Sequence, residues 1–375
     1  MKKKILFVIP EYSHGGTNRC LENLLTYINK DKYDISIYCL YQDGGEYYKK
    51  VFKPYVVKKS LLYYYAHDNV LTRKICGLWH KISKKANFNW LYKREAVYLQ
   101  KQYKYDTVIG YQEGAATIFA SFFYNCKRIA WFHCPYIEFL TNDLVNQTML
   151  YSNFNIVVCV SETFAIKFKK RIMLPHLNII GIHNILDADS IIRKAEEIAN
   201  PYNNNYFNII TVGRFVHQKR FDIIPSIANS IKLTGVNIFK WYIIGEGDNH
   251  VKTKTISEIE KYHLEDTVVL LGEKDNPYPY IKNADLMVCT SETENYPTVI
   301  NEAKLLHVPV VSNNYDSAKE IVDVKCGIVC SYKEMPIVIS NLITNNNNKY
   351  SILENSIKDY HSENEDIINR IESII

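Results

Sequence analysis

The feature that most constrains the fold is a repeated alternation of short apolar runs with longer amphipathic segments. In the first half of the chain the apolar runs are ILFVIP (5–10), DISIYCL (34–40), DTVIGY (106–111), RIAWFH (128–133), NIVVCVS (155–161) and NIIGIHN (178–184). Continuous apolar runs separated by segments of helical periodicity are typical of parallel strands that are buried on both faces. The pattern predicts a doubly wound α/β sheet.

The alternation stops at residues 185–206, a polar helix followed by a Pro/Asn cluster, and then restarts. The runs of the second half are FNIITVG (207–213), KWYIIGEG (240–247), TVVLLG (267–272), LMVCTS (286–291), VPVVSNN (308–314) and GIVC (327–330). A chain of 375 residues is also long for a single core. We therefore expect two Rossmann-like domains, residues 1–190 and 191–375, facing each other across a cleft, with a C-terminal helix that can pack back on the first domain.

Composition narrows the cellular setting. Most of the nine cysteines lie inside apolar runs, and the one close pair, CGIVC (326–330), lacks the ligand spacing of a zinc site. The N-terminal apolar run of six residues is too short for a secretion signal or a membrane span. The net charge of +5 is modest, and no nucleic-acid motif is present. We expect a cytoplasmic protein that does not bind nucleic acid.

Polar clusters follow four of the apolar runs. They are PEYSHGGTNR (10–19), HCPY (133–136), GRFVHQKR (213–220) and SETENYPT (291–298), two in each half of the chain. Ligands of doubly wound sheets bind at the carboxyl ends of the strands. These four clusters are therefore the candidate ligand-binding segments.

The third and fourth clusters suit a phosphate-bearing ligand. Arg214 offers a fork of donors and Lys219 a compact charge, which together fit a diphosphate, although such a pair is often only a solvated basic loop. Pro297 suits the start of a helix, where the N–H groups near Thr298 and Val299 are free to bind an anion. Both features predict an anion site.

Two glutamates in the fourth cluster suit hydroxyl groups. Glu294 stands at a strand tip and Glu302 just over one turn inside the next helix. By itself this E-x7-E spacing is no more than surface decoration, but carboxylates are acceptors, and beside phosphate they address hydroxyls. The combination describes a ligand with phosphates in the middle and a sugar at each end, which is a sugar nucleotide.

Longer segments carry a resemblance to a known family. In the second half these are TVGRFVHQKRFD, YIIGEGD, VVLLGEKDNPYPYIKNADLMVCTSETENYPTVINEA and VPVVSNNYDSAKEIV; in the first half they are ILFVIPEYSHGGTNRCLENLL, YDTVIGYQEG and RIAWFHCPY. Together they resemble the retaining glycosyltransferases of family four, which have the GT-B fold and include enzymes that build bacterial surface polysaccharides.

The resemblance implies a role for each donor-binding residue. Arg214 and Lys219 are expected to hold the donor diphosphate, with backbone groups of Thr298 and Val299 at the distal phosphate. Glu302 is expected to bind the nucleotide ribose. Two cations and a helix start stabilise the leaving diphosphate, so no metal or other cofactor is expected.

The resemblance also implies groups around the transferred sugar. Glu294 is expected to bind its hydroxyls, His133 to lie at the reacting centre, and Gly15 and Gly16 to form a loop over the phosphates. The implied reaction moves a sugar from a nucleotide sugar, UDP-linked, to a saccharide or lipid-linked saccharide, with retention. A sugar-nucleotide epimerase of the same fold is the alternative.

Four residues depart from the family pattern or compete with it. Asn295 and His307 stand where relatives commonly have glycine. Asn is among the better substitutes if φ is positive there, whereas His tolerates the left-handed region less well, at modest cost. Asp187 and Asp189 spell a metal-binding Asp-x-Asp of a different glycosyltransferase fold, but here they open a polar helix, where Asp is common.

Residues 53–104 are rich in Lys, Arg, Tyr and Trp and contain only two acids, Asp68 and Glu95. Basic residues interleaved with aromatic ones suit a surface that rests on anionic lipid headgroups. A solvated face over ordinary core aromatics explains the composition equally well. The region is a candidate for peripheral contact with the inner face of a membrane.

Overall fold

The computed structural model describes residues 1–12, 16–41, 45–57, 89–133 and 144–375. The chain forms two compact units. Unit 1 comprises Met1–Ile185 together with Asn364–Ile375, and unit 2 comprises Leu186–Glu363. The sequence-based boundary after residue 190 lies just inside unit 2, and the C-terminal helix is part of unit 1.

Unit 1 contains a parallel sheet of six strands in the order β2-β1-β3-β4-β5-β6. Its strands are β1 (Lys3–Ile9), β2 (Tyr33–Cys39), β3 (Thr107–Gly110), β4 (Lys127–Phe132), β5 (Ile156–Cys159) and β6 (Asn178–Gly181). The described helices of this unit are α1 (Gly16–Tyr27), α2 (Glu46–Phe52), α3 (Asn89–Tyr103), α4 (Ala115–Ala120), α5 (Leu144–Tyr151), α6 (Glu162–Ile172) and the C-terminal α15 (Asn364–Ile374); Lys53–Tyr55 form a 3₁₀ turn.

Unit 2 contains a second parallel sheet of six strands, in the order β12-β11-β10-β7-β8-β9. Its strands are β7 (Phe207–Val212), β8 (Phe239–Ile244), β9 (Val268–Gly272), β10 (Leu286–Cys289), β11 (Val310–Asn313) and β12 (Gly327–Cys330). Its helices are α7 (Ala188–Ala195), α8 (Ile224–Leu233), α9 (Asn249–Lys261), α10 (Tyr278–Lys282), α11 (Thr298–Leu305), α12 (Ala318–Ile321), α13 (Met335–Ile343) and α14 (Lys349–Ile357), with 3₁₀ turns at His217–Lys219, Phe221–Ile223 and Asn346–Asn348.

The strands of unit 2 are apolar on both faces because helices cover both. Ile209 and Ile243 enter one core cluster, and their neighbours Ile210 and Ile244 enter another. Successive strand residues point to opposite faces, so this split places a core on each side of the sheet. Trp241 is fully buried in the first cluster and donates its indole N–H to Thr211 Oγ1 at 3.0 Å. The predicted doubly wound α/β architecture is confirmed.

The strand order of unit 2 defines a topological switch point. The chain leaves β7 toward β8 and β9 on one side, and β10 begins the other side of the sheet, next to β7. At such a point the loops that follow the two central strands diverge and open a crevice, where ligands of doubly wound sheets bind. In unit 2 these are the loops after β7 and β10, which contain the third and fourth polar clusters of the sequence.

Helix α15 is anchored on unit 1 by charged side chains. Arg370 donates to Glu162 Oε1 at 2.9 Å and to the carbonyl of Gly181. Glu372 pairs with Lys32 at 2.9 Å. In the ranges that the structure describes, no helix combines the length and the apolar character needed to cross a membrane.

Candidate active site

The loop after β7 begins with a close approach of two backbones. A Cβ on Gly245 would lie 1.8 Å from the carbonyl oxygen of Gly213, and Gly245 has φ +146°, which side-chain-bearing residues rarely adopt. Phe215 N donates to Glu246 O at 3.0 Å, and Asp248 N donates to Phe215 O at 2.7 Å. The glycine of the GEG sequence therefore serves to seat the Arg214-bearing loop against the end of β8.

Lys219 lies across the carboxyl end of β7. Its Cε and Cδ atoms lie 3.6 and 3.7 Å from the position of a Cβ on Gly213, so the aliphatic stem covers the glycine. The ammonium Nζ is 2.6 Å from Glu294 Oε1. The two side chains are only 20% and 10% exposed, so the pair is largely shielded from water. The structure thus joins a predicted phosphate-binding cation to a predicted sugar-binding carboxylate.

The ion pair keeps Lys219 charged. Burial by itself lowers the pKa of Lys219, but the charge and hydrogen bond of Glu294 outweigh burial, so the pKa lies above its usual value. Arg214 opposes this rise through its own positive charge. Arg214 is therefore close enough to Lys219 to be felt electrostatically, although its side chain is exposed.

Hydrogen bonds join the main chains of the two loops that carry this pair. Gln218 Nε2 donates to Thr293 O at 2.6 Å, and Glu292 N donates to Gln218 O at 2.8 Å. Thr290 Oγ1 donates to Lys219 O at 2.8 Å, and Ser317 Oγ donates to Glu294 O at 3.0 Å. Gln218 and Ser317 were not predicted from the sequence. A polar residue near a predicted ligand-binding residue is too common to indicate a role in the site.

Helix α11 presents its N-terminus at this edge. It begins at Thr298, and Pro297 is its N-cap rather than its first helical residue. No described side chain caps it. The N–H groups of Thr298 and Val299 lie in the first turn, where no intrahelical acceptor exists. Glu302, one turn further on, is 5% exposed. The predicted arrangement of helix start and glutamate is present.

His307 and Asn295, which stand where relatives commonly have glycine, differ in backbone conformation. His307 has φ +60°, as a left-handed helix end requires. Asn295 is absent from the described residues with positive φ and is instead buried at 4% exposure. Asn295 is therefore placed by packing and does not need the left-handed backbone that a glycine would allow.

In unit 1, His133 follows the carboxyl end of β4. Its backbone N–H donates to Glu113 Oε2 at 2.9 Å, and its ring lies 5.0 Å from that of Tyr111. Burial lowers the pKa of His133 to about 3, so the imidazole is neutral at physiological pH. Glu113 was not predicted from the sequence, and it fixes the main chain of His133. Its position just after β3, in YQEG, was the feature that could have indicated it.

The remaining predicted positions are placed as follows. Gly16 is exposed and is the first residue of α1, and nothing lies within 4 Å of a Cβ added there. Gly15 lies outside the described residues. Asp187 is the N-cap of α7 and accepts from Ser190 N at 3.2 Å. Within the described part of the chain, no three His, Cys, Asp or Glu side chains are arranged to hold a metal ion.

Only part of the basic aromatic region is described, because residues 58–88 lie outside the described ranges. Helix α3 is its best described element. Trp90, Arg94 and Tyr98 are exposed and follow one another at intervals of four, so they share one helix face. Lys93 and Lys101 are also exposed.

Comparison with known proteins finds similar sequences and similar folds. Residues 193–360 match the family model described as glycosyl transferases group 1. This part of the chain is therefore similar to the group 1 glycosyl transferases. The chain is 24% identical to an uncharacterized glycosyltransferase of Haemophilus influenzae, over 96% of the chain and 94% of that relative.

Two further relatives align over part of their length. The amylovoran biosynthesis glycosyltransferase AmsD of Erwinia amylovora is 24% identical over 36% of the chain and 37% of its own length. An N-acetylgalactosaminyltransferase of Campylobacter jejuni, whose name includes a diphospho-undecaprenol acceptor, is 26% identical over 54% of the chain and 56% of its own length. The chain therefore spans less than two thirds of either relative.

The fold recurs in solved glycosyltransferase structures. Anabaena HepE, crystallised in complex with UDP, superposes with a TM-score of 0.74 at 17% identity, covering 99% of this chain and 98% of that one. At this identity the likeness establishes the fold. It confirms the GT-B architecture predicted from the sequence.

Proposed function

We propose that the protein is a retaining glycosyltransferase. It moves a sugar from a nucleotide-sugar donor, UDP-linked, to a hydroxyl of a saccharide or lipid-linked saccharide acceptor in surface polysaccharide synthesis. The observation that carries this proposal is the edge of unit 2, where two neighbouring loops and helix α11 carry a shielded lysine, a helix start without a side-chain cap and two carboxylates. Cations and N–H groups suit phosphates, and carboxylates suit hydroxyls.

Each group has a task during transfer. The bond between the anomeric carbon and the diphosphate oxygen breaks, and its electron pair leaves with the nucleoside diphosphate. Lys219 and Arg214 oppose the charge that builds there, and the N–H groups of Thr298 and Val299 reach the distal phosphate. Glu302 accepts hydrogen bonds from the ribose.

The sugar side of the reaction is assigned to other groups. Glu294 binds the hydroxyls of the transferred sugar, and His133 lies beside the anomeric carbon as a neutral hydrogen-bonding group. Gly15 and Gly16 are assigned to phosphate binding. The acceptor oxygen forms its bond on the face that the diphosphate leaves and gives its proton to the departing diphosphate oxygen, so the configuration is retained.

The proposal assigns charge stabilisation to side chains and backbone, without a metal. Lys219 is kept positive by its surroundings, and a helix start adds partial positive charge. Excess chelator should therefore leave the transfer rate nearly unchanged. Loss of turnover that manganese restores would contradict metal independence and return attention to Asp187 and Asp189.

The comparisons support the substrate classes. HepE was crystallised with UDP, which favours a uridine donor. AmsD is named for the biosynthesis of amylovoran, and the Campylobacter enzyme for transfer to a diphospho-undecaprenol-linked saccharide. These names describe transferases, which favours transfer over the epimerase alternative.

Helix α3 supports a place at the membrane surface, where a lipid-linked acceptor resides. Its exposed face combines two aromatic side chains with basic ones, Trp90 and Tyr98 with Lys93, Arg94 and Lys101. Amphipathic aromatics and cations on one face suit anionic headgroups. We propose that this face, within the basic region 53–104, docks the cytoplasmic protein peripherally.

The decisive experiment is a transfer assay with radiolabelled UDP-, GDP- and ADP-sugars and a panel of free and lipid-linked saccharides. Transfer of label from a UDP-sugar to an acceptor, with an α-linkage from an α-donor by NMR, is expected. Conversion of the donor sugar without any acceptor would indicate an epimerase. A product with inverted configuration would overturn retention.

A further inference from the structure

We propose that Glu294 is the counter-ion of Lys219 while no donor is bound, and that the donor's diphosphate displaces it, which frees the carboxylate for the sugar. This inference rests on the proposed function, because it assumes that Lys219 receives a diphosphate. It adds a discrimination step: a ligand with both diphosphate and sugar satisfies both side chains, and a diphosphate alone satisfies only one.

The geometry makes the two partners of Lys219 competitors. Glu294 Oε1 is 2.6 Å from Lys219 Nζ, the distance of a direct charge-assisted hydrogen bond. A phosphate oxygen at the same distance from Nζ would place two negative groups beside each other. Since the pair is 20% and 10% exposed, water screens this repulsion weakly. The diphosphate must therefore push the carboxylate away from the lysine.

The exchange requires no rearrangement of the loops. Thr290 holds the carbonyl of Lys219, and Ser317 holds the carbonyl of Glu294. Gln218 joins the two loops through two further hydrogen bonds. Because the main chains on both sides are fixed, only the side-chain torsions of Lys219 and Glu294 have to change. The carboxylate remains within a side chain's reach of the lysine.

The displaced carboxylate then has two possible environments. With an intact nucleotide sugar, the sugar hydroxyls donate hydrogen bonds to it and replace those of the lysine. With a free nucleoside diphosphate, it remains largely buried next to a negative ligand. Burying a charge without a partner is unfavourable. Glu294 therefore weakens binding of the nucleoside diphosphate, which is the product, and so helps its release after transfer.

The test measures the affinity of UDP and of inorganic diphosphate by calorimetry for the wild-type protein and for Glu294→Gln. Glutamine keeps the size of the side chain and an oxygen that can accept from Lys219, but it removes the charge. Both ligands should bind the variant about fivefold more tightly, on the order of 1 kcal/mol. Inorganic diphosphate has no base or ribose, so its gain reports the diphosphate alone.

The matched control is Glu292→Gln, which removes the same charge from the same loop. Glu292 is exposed, and only its backbone takes part in joining the loops, so both affinities should stay as in the wild type. In the double variant Lys219→Gln/Glu294→Gln both ligands should bind more weakly than to the wild type, because the gain requires the lysine. Thermal melting of each variant verifies that it is folded.

The outcomes separate the inference from the proposed function. Wild-type protein that binds UDP while Glu294→Gln, folded, binds it equally or more weakly would overturn the exchange and leave the transferase proposal intact. An equal gain in Glu292→Gln would also overturn it, since the effect would then be general electrostatics. Absence of UDP and diphosphate binding by the wild type would refute both proposals.

Discussion

The carboxyl edges of the two sheets carry opposite chemistry. In unit 2, the switch point between β7 and β10 is occupied by an ion pair, Lys219 with Glu294. In unit 1, β4 leads into His133, whose ring lies beside Tyr111, and Tyr111 in turn lies 5.1 Å from Trp131. The basic side chain of one edge is ion-paired and charged, whereas the basic side chain of the other, whose backbone binds the Glu113 carboxylate, is neutral.

The contrast shows that burial alone does not decide the charge of a basic side chain. Burial acts on both Lys219 and His133 by disfavouring the charged form. At Lys219 a carboxylate outweighs it and raises the pKa, whereas at His133 burial dominates and lowers the pKa to about 3. A charged lysine suits a diphosphate, whereas a neutral imidazole suits hydrogen bonds with sugar hydroxyls.

The largest expected effect comes from removing the positive charge of Lys219. Lys219→Met should lower the transfer rate by about a thousandfold, because it removes a donor to the leaving diphosphate and leaves Glu294 without its partner. Steady-state kinetics with saturating donor measures this. The control is Lys254→Met. Lys254 also forms an ion pair, with Asp222, but its side chain is 53% exposed. A similar loss in both variants would indicate a general defect of unit 2.

Changing the neutral edge should affect the rate and not nucleotide affinity. His133→Gln is expected to lower kcat by roughly a hundredfold, since it displaces a hydrogen-bonding group at the reacting centre, with UDP affinity unchanged. A His133→Gln protein with weakened UDP binding and normal kcat would reverse the assignments of the two edges. The exposed His176 provides the control substitution to Gln.

The depressed pKa of His133 also predicts acid sensitivity. The unfolded chain protonates a histidine near pH 6.5, whereas the folded protein does so only near pH 3. Stability that is present above pH 6.5 should therefore decline as the pH falls from about 6.5 toward 3. His133→Gln should show a shallower decline than His176→Gln when urea unfolding is followed across that range. Parallel declines would contradict a buried neutral imidazole.

Glu302 is expected to affect binding of the ribose and not of the diphosphate. Glu302→Gln should weaken binding of UDP by about tenfold, because it removes a buried charged acceptor for the ribose, while binding of inorganic diphosphate should stay unchanged. Calorimetry with the two ligands distinguishes this from a collapse of the site. Equal weakening for both ligands would mean that Glu302 acts on phosphate binding or on folding.

The fold and the residues at the edge of unit 2 could be predicted from the sequence because the patterns that indicate them are local. Strand, turn and helix signals are short-range, so the positions of Lys219 and Glu294 after strands and of Glu302 inside a helix could be inferred from the runs around them. The Lys219–Glu294 contact could not, because residues 75 positions apart meet only through the pairing of β7 with β10. Gln218 was missed for the same reason, since tertiary packing decides its role.

The smallest effect on transfer is expected from changes on helix α3. Changing Lys93, Arg94 and Lys101 to Glu should lower recovery on anionic liposomes by about tenfold, since each cation near an anionic surface contributes on the order of 1 kcal/mol and only part of the helix face contacts it. Raising the salt should lower wild-type recovery as well, because the surface field decays over a Debye length of about 10 Å at 0.1 M. Lys167, Lys169 and Lys170 on α6 provide a control of equal charge change in unit 1. Transfer to a free saccharide acceptor should be unaffected by the α3 change, because this helix is not assigned to the donor or to the reacting centre. Equal recovery on neutral and anionic liposomes, or an equal loss in the α6 control, would show that the basic face of α3 is only solvated.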